Sequence, residues 1–177
     1  MNLFEKIDLA IEALKKAPQK STLSPRVSNE DLDKMNNLLS EAQLPQMPLD
    51  VMYFLSKVGA CTGPYCDIYG AEGLQGAADP EDITVIGASA DINRDEDDDE
   101  PQGLVIGCIR EAGLLPHYIV YKNEQYYQVE DERGTYTYFT EQGNLGDVII
   151  RAIENAEKRK AQRDTAQARK DVEKWSE

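Results

Sequence analysis

Apolar residues recur three or four positions apart in the first 60 residues of the chain, as they do in amphipathic helices. This spacing predicts a first helix over residues 2–16. Ser28 has a side chain that can cap a second helix, and Asp31 follows three residues later. A third helix is expected to begin at Pro48 and to end at Gly59, which is the usual placement of these two residue types.

After residue 70 the pattern changes to short β-rich runs separated by turn residues. Asn144 can then cap a last helix, whose apolar stripe fades beyond Glu157. Helices followed by a strand meander indicate an α+β fold with an antiparallel or mixed sheet of about five to six strands. A long C-terminal helix is expected to pack on the sheet. The predicted strands are residues 82–87, 103–109, 116–122, 125–130 and 135–139.

The sequence pattern predicts one domain over residues 1–156, with residues 157–177 as a charged helical extension of the same domain. The chain carries 33 acidic and 19 basic residues, a formal net charge of −14. Its first 150 residues hold 27 of the acidic and 11 of the basic ones, so the excess lies in the body of the domain. Such a surface repels nucleic acid and anionic membranes and attracts basic proteins.

No apolar stretch approaches the ~20 residues that cross a bilayer, and residues 1–16 lack the apolar run of a signal peptide. We therefore expect a cytoplasmic protein with reduced thiols. Cys61, Cys66, Cys108 and His117 could together supply the four ligands of a zinc site. However, the spacing of the first two barely fits a zinc knuckle, and Cys108 lies in an apolar run typical of a buried thiol. We expect no metal and no cofactor, and we interpret the loop that carries Cys61 and Cys66 as a connector.

The strongest polar feature is the stretch RDEDDDEP at residues 94–101. Alternating acidic positions from Asp91 suggest calcium, but the EF-hand pattern requires Gly and Glu where this chain has Glu96 and Gln102. Two interpretations stay open, a solvated loop that repels itself and an anionic surface for a basic partner. In the second, the candidate contact residues are Asp95, Glu96, Asp97, Asp98, Asp99 and Glu100.

Tyrosines crowd the last three predicted strands, and Tyr126 and Tyr127 are neighbours there. Strand residues alternate between faces, so one of the two is expected to face solvent, where tyrosine is a common binding anchor. Core or edge packing is the alternative for each of them. No catalytic sequence motif occurs, and His117 has no evident partner for catalysis. We therefore predict that the protein is not an enzyme.

The stretch LPQMPLDVMYFLSKVGA at residues 44–60 resembles a signature of the SUKH superfamily, and DIYG and LVIG further along resemble its later strands. The resemblance covers about residues 28–156. It implies an α+β fold and a binding role without catalysis. The positions that carry it are Leu44, Pro45, Tyr53, Phe54, Leu55, Gly59, Tyr69, Gly70 and Gly107.

Many bacterial SUKH proteins are immunity proteins that neutralise a cognate toxin, often a nuclease or a deaminase. The resemblance thus implies a protein-binding module whose acidic surface takes up a basic toxin domain. The alternative is a regulatory or scaffold protein similar to the fungal regulators of glucan synthesis, with no toxin partner. Whether the protein is a monomer or a homodimer stays open.

Overall fold

The computed structural model of the chain describes residues 2–70, 89, 103–110, 116–132, 135–141 and 143–174. Within these residues it contains four helices and a seven-stranded sheet. The helices are α1 (Leu3–Lys16), α2 (Asn29–Glu41), α3 (Leu49–Val58) and α4 (Leu145–Lys174). The strands are β1 (Thr22–Leu23), β2 (Cys61–Thr62), β3 (Cys66–Ile68), β4 (Leu104–Ile109), β5 (His117–Lys122), β6 (Gln125–Glu132) and β7 (Thr135–Glu141).

The sheet is a meander in which each described strand pairs antiparallel with the next one along the chain. The predicted α+β class with its N-terminal helices and long C-terminal helix is confirmed. The sheet has more strands than predicted because the loop interpreted as a connector contains β2, and β1 pairs with β2. Strand β3 overlaps the stretch DIYG, which was expected to form a strand. The predicted strand at residues 82–87 lies outside the described residues.

The helix boundaries follow from local capping. Asn2 and Glu5 form a reciprocal capping box at the start of α1. As predicted, the Ser28 hydroxyl accepts a hydrogen bond from the backbone N–H of the third residue of α2 at 3.1 Å. The predicted cap at Asn144 is also confirmed, since its side-chain oxygen accepts from the Asp147 N–H at 3.2 Å.

One face of the sheet, here called the inner face, lies under the helices. Helix α1 packs against α3 and α4, and an ion pair between Lys6 and Asp147 joins α1 to α4. Burying each large aliphatic side chain at this interface contributes about 1.5–3 kcal/mol. The fully buried side chains include Ile7, Leu14, Phe54, Leu55, Ile68, Leu104, Ile119, Leu145 and Ile149.

The turn between β5 and β6 consists of Asn123 and Glu124, with φ values of 51° and 59°. Two consecutive positive φ values identify a type I′ turn, the two-residue connection that matches the twist of a hairpin. The turn predicted at residues 122–124 is therefore confirmed. Asparagine tolerates this conformation well, whereas glutamate does so only with strain.

Helix α4 has 30 residues and is thus about 45 Å long. Its first turns are buried against the sheet and α1, but every residue from Lys158 to Asp171 is exposed. The helix continues without a break into the charged extension. Among the described helices, none combines the length and the apolar character needed to cross a membrane.

Candidate binding surfaces

Tyr126 and Tyr127 point to opposite faces of the sheet. Tyr126 lies opposite Tyr121 on β5, and the two rings are 5.0 Å apart on the inner face. Only 3 % of Tyr126 is exposed, and its hydroxyl donates a hydrogen bond of 2.8 Å to Asp50 Oδ1. Tyr126 is therefore a core residue, and we remove it from the candidate binding surface.

Asp50 joins three elements of the fold at this point. It is 4 % exposed, and its second oxygen accepts a 2.8 Å hydrogen bond from the Leu145 N–H at the start of α4. Its first oxygen also accepts from the Val51 N–H at 3.0 Å. Burial, reinforced by the Asp50 charge, raises the pKa of Tyr126 well above its ordinary value, so its hydroxyl stays a donor. Sequence reasoning missed Asp50, although it occupies a position on the buried stripe of α3.

The opposite face of the sheet, the outer face, carries a cluster of half-buried aromatic residues. The rings of Tyr127 and Tyr138 meet edge to face at 5.8 Å, and Lys122 Nζ lies 5.8 Å from the centre of the Tyr138 ring. Tyr118 stands in the same cross-strand row as Tyr138, with Val129 between them. We call Tyr118, Tyr127, Tyr138 and Lys122 the tyrosine cluster. Of the two predicted tyrosines, Tyr127 belongs to it.

Strand β7 forms one edge of the described sheet. No described strand pairs with its outer side, and edge strands present backbone N–H and C=O groups to which another chain can add. Phe139 in this strand is 50 % exposed, on the face opposite Tyr138. The edge therefore combines a strand side with which no described strand pairs and aromatic side chains on both of its faces.

Acidic residues are concentrated in the part of the chain that forms most of the sheet. Residues 59–150 hold 19 acidic and four basic residues, whereas residues 1–58 hold eight and seven. Strand β6 and its preceding turn contribute Glu124, Glu130, Asp131 and Glu132. The candidate residues Asp95, Glu96, Asp97, Asp98, Asp99 and Glu100 lie outside the described residues.

The three cysteines are free and buried. Cys108 lies 3.5 Å from the carboxylate of Asp67, which is itself buried and accepts a 2.8 Å hydrogen bond from Arg110 Nε. Burial, aided by the Asp67 charge, raises the pKa of Cys108 to about 11. The Cys61 thiol and burial likewise raise the pKa of Cys66. Thiols with raised pKa are poor nucleophiles.

The structure shows no candidate metal-binding site within the residues that it describes. No group of three or more His, Cys, Asp or Glu side chains is arranged there to hold an ion. His117 instead contacts Gln128 through Nδ1 and lies 3.2 Å from Glu130 through Nε2. These are strand neighbours, so the contacts describe an ordinary cross-strand arrangement.

The family-motif residues in the helical layer have structural roles. Leu44 and Pro45 are half-buried in the link between α2 and α3. The Tyr53 ring packs against Phe4 at 4.6 Å, while Phe54 and Leu55 are fully buried. Gly59 ends α3 with φ 65°, and a Cβ there would lie 2.1 Å from a backbone oxygen of residue 25.

The motif residues in the sheet are also structural. Tyr69 and Gly70 are buried, and burial raises the pKa of Tyr69. A Cβ on Gly107 would lie 2.0 Å from the backbone oxygen of Asp67, so only glycine allows β3 and β4 to approach this closely. These residues therefore shape the fold.

A cleft of about 880 Å³ lies between α4 and the inner face of the sheet. Sequence reasoning missed it, because it depends on where the exposed half of α4 passes over the sheet. Its lining includes Gln128 and Glu141 from the sheet and Arg151, Arg159 and Arg163 from the helix. The helical spacing of these arginines could have revealed its cationic lining, but not the cleft itself.

Comparisons of the chain with protein-family models, with curated proteins and with solved structures return no match. The function therefore has to be inferred from the residues and surfaces of the chain itself.

Proposed function

We propose that this chain is a non-catalytic protein-binding module of the immunity-protein kind. In this proposal it binds and neutralises a cognate toxin domain, a nuclease or a deaminase, as its resemblance to the SUKH superfamily implies. One observation carries the proposal. At the β7 end of the described sheet, an edge strand with which no described strand pairs adjoins the tyrosine cluster, in the part of the sequence where residues 59–150 hold 19 acidic and four basic residues.

Charge complementarity is the reason for a basic partner. A nuclease or a nucleic-acid deaminase holds its substrate with Lys and Arg side chains, so its substrate groove is positive. A carboxylate-rich surface can occupy that groove in place of the phosphates and speed the encounter. The proposal assigns further contacts to the acidic run at residues 95–100, which lies outside the described residues. The tyrosines would then supply the desolvated anchors on which interface affinity usually depends.

The chemistry of the described residues supports binding over catalysis. Catalytic cysteines need a lowered pKa and access to substrate, whereas the thiols here are buried, and the pKa values of Cys66 and Cys108 are raised. His117 contacts cross-strand neighbours and has no nucleophile beside it among the described residues. Neither observation depends on the identity of the partner.

The test begins with the tagged chain immobilised and exposed to lysate of its source organism. We expect capture of a basic nuclease or deaminase domain, and binding of the purified domain that weakens markedly between about 50 mM and about 500 mM salt. The purified complex should also lose the nuclease or deaminase activity. Tight capture of cell-wall or signalling factors instead, with no effect on any toxin domain, would favour the regulatory alternative.

Two variants locate the surface. Asp97→Asn, Asp98→Asn and Asp99→Asn together should weaken toxin binding by about tenfold or more, because several charge-assisted contacts are lost. A matched control removes the same charge from α2 through Glu30→Gln, Asp33→Asn and Glu41→Gln, and should change affinity less than about twofold. Equal effects of the two triple variants would contradict an interface at the acidic run. Tyr127→Ala tests the tyrosine cluster in the same assay.

A further inference from the structure

Along one side of α4, the buried apolar residues give way to cationic residues where the helix leaves the sheet. Leu145, Val148, Ile149, Ala152 and Ala156 recur three or four positions apart and face the interior. The same spacing continues along the same side of the helix with three cationic residues. The continuing positions are Arg159, Lys160 and Arg163.

These cations line the cleft between α4 and the sheet. Ile109, Gln128 and Glu141 form its floor, and Gln19 and Pro64 line its side. In all, the lining contains five cationic side chains and one carboxylate, that of Glu141. The cations are Arg110, Arg151, Arg159, Lys160 and Arg163.

Some of this positive charge is held in place and some is left without a counter-charge. Arg151 donates from Nε and Nη2 to one oxygen of Glu141, at 3.1 and 2.5 Å, and Arg110 is similarly paired with Asp67. Within the described part of the chain, Lys160 and Arg163 form no ion pair. The cleft therefore keeps a net positive charge in a protein whose formal net charge is −14.

The position of α4 over the cleft is fixed by a buried tyrosine. Tyr65 is 0 % exposed, donates a 2.6 Å hydrogen bond to Glu157 and accepts one of 3.0 Å from the Gln19 N–H. This link ties the helix to the β2–β3 turn immediately before the cationic positions begin. The cleft is thus pre-formed, which lowers the entropic cost of binding a ligand there.

The size and charge of the cleft limit the class of ligand. A volume of about 880 Å³ is typical of small-molecule sites. A long polyanion such as nucleic acid would extend beyond the cleft and be repelled by a protein whose formal net charge is −14, whereas a compact anion stays within about one Debye length, ~8 Å, of the cations. Apolar side chains of Pro64, Ile109, Ala152 and Ala156 line the same space and suit an apolar or aromatic body.

We propose that this cleft binds a small organic phosphate of nucleotide size. Its phosphate groups would contact Lys160 and Arg163, and its apolar body would rest on the sheet side of the cleft. This site is separate from the acidic surface of the proposed function and does not depend on it. An anion bound here would neutralise the cations that project from the inner side of α4.

Isothermal titration calorimetry of the full chain tests the site with ADP, pyrophosphate and adenosine as probes. We expect ADP and pyrophosphate to bind with Kd values below about 1 mM and ADP to bind more tightly. Adenosine, which lacks phosphate, should bind at least about tenfold more weakly than ADP. Absence of binding by both phosphates, or equal binding of adenosine and ADP, would overturn the proposal.

A matched pair of double variants places the binding in the cleft. Lys160→Gln with Arg163→Gln should weaken ADP binding by about tenfold or more. Lys158→Gln with Arg169→Gln removes the same two residue types from α4 outside the cleft lining, and should change affinity less than about twofold. All four residues are exposed, so both variants should keep the far-UV circular dichroism of the parent chain. Equal weakening by both pairs would refute a specific site.

Discussion

Tyr126 and Tyr127 are adjacent in the chain and identical in chemistry, yet they serve different regions of the molecule. On the inner face Tyr126 is enclosed and its hydroxyl is bound to a buried carboxylate. On the outer face Tyr127 is half-buried and meets another tyrosine edge to face. The difference shows that the element across the sheet face, and not the residue type, decides whether a tyrosine stabilises the fold or remains accessible to a partner.

The largest effect should come from removing the buried carboxylate of the inner face. Asp50→Ala leaves the Tyr126 hydroxyl and the Leu145 N–H without their acceptor, so we expect a loss of about 3 kcal/mol in unfolding free energy. Urea denaturation followed by circular dichroism measures it. The exposed control Asp33→Ala should cost less than about 0.5 kcal/mol. If Asp50→Ala lost as little unfolding free energy as the control, the hydrogen bonds of Asp50 would not stabilise the packing on the inner face.

The two neighbouring tyrosines allow a direct comparison with one chemical change. Tyr126→Phe removes a buried hydrogen bond and should cost about 1 kcal/mol, whereas Tyr127→Phe should cost less than about 0.5 kcal/mol. Both losses are measured by urea denaturation. Affinity for the proposed toxin partner should show the reverse order, with Tyr127→Phe weakening binding and Tyr126→Phe leaving it unchanged. If the same variant had the larger effect on both stability and affinity, the two tyrosines would not have the separate roles inferred for the two faces.

A smaller and pH-dependent effect is expected at the start of α4. Burial alone would raise the pKa of Asp147, but hydrogen bonds from Lys6 and from the Asn144 N–H lower it overall. A carboxylate with a lowered pKa stabilises the fold above its ordinary pKa, and this contribution is lost as the pH falls below about 4. Asp147→Asn should therefore cost about 0.5–1 kcal/mol at pH 7 and less at low pH. A difference between the two proteins that does not vary with pH would exclude an electrostatic role.

The smallest effect should arise at the hairpin tip, which belongs to neither face. Glu124→Gly relieves the positive φ of 59° and should stabilise the protein by about 0.5 kcal/mol. Glu124→Ala keeps the strain and should bring no such gain. Thermal unfolding of the two variants side by side measures the difference. An equal gain for both would point to the lost charge rather than to the backbone.

Local patterns in the sequence predict most of the helix boundaries and turns of the fold. The caps at Ser28 and Asn144, the helix end at Gly59 and the turn at residues 122–124 all depend on neighbouring residues, and the structure has each where it was expected. The strands at residues 22–23 and 61–62 were missed because each is too short to show alternation. They pair with each other although they lie far apart in the chain.

The candidate surfaces could be predicted only in part, because they depend on tertiary contacts. Strand alternation implied that Tyr126 and Tyr127 face opposite ways, but only the packing of α3 shows which of them is inside. The cationic lining of the cleft could have been found by extending the buried stripe of α4 past Ala156. The cleft itself could not, since no local pattern reveals that a helix overhangs a sheet.

The long C-terminal helix also has a mechanical consequence. Glu157 is tied to Tyr65, and the 17 residues from there to Lys174 extend about 26 Å as a continuous helix. A rotation of about 10° at that tie would displace the far end by ~4–5 Å, by the geometry of a lever of this length. A small change in the packing beneath α4 is therefore amplified at its tip. A spectroscopic label near Lys170 would therefore report, through its displacement, changes in the packing beneath α4.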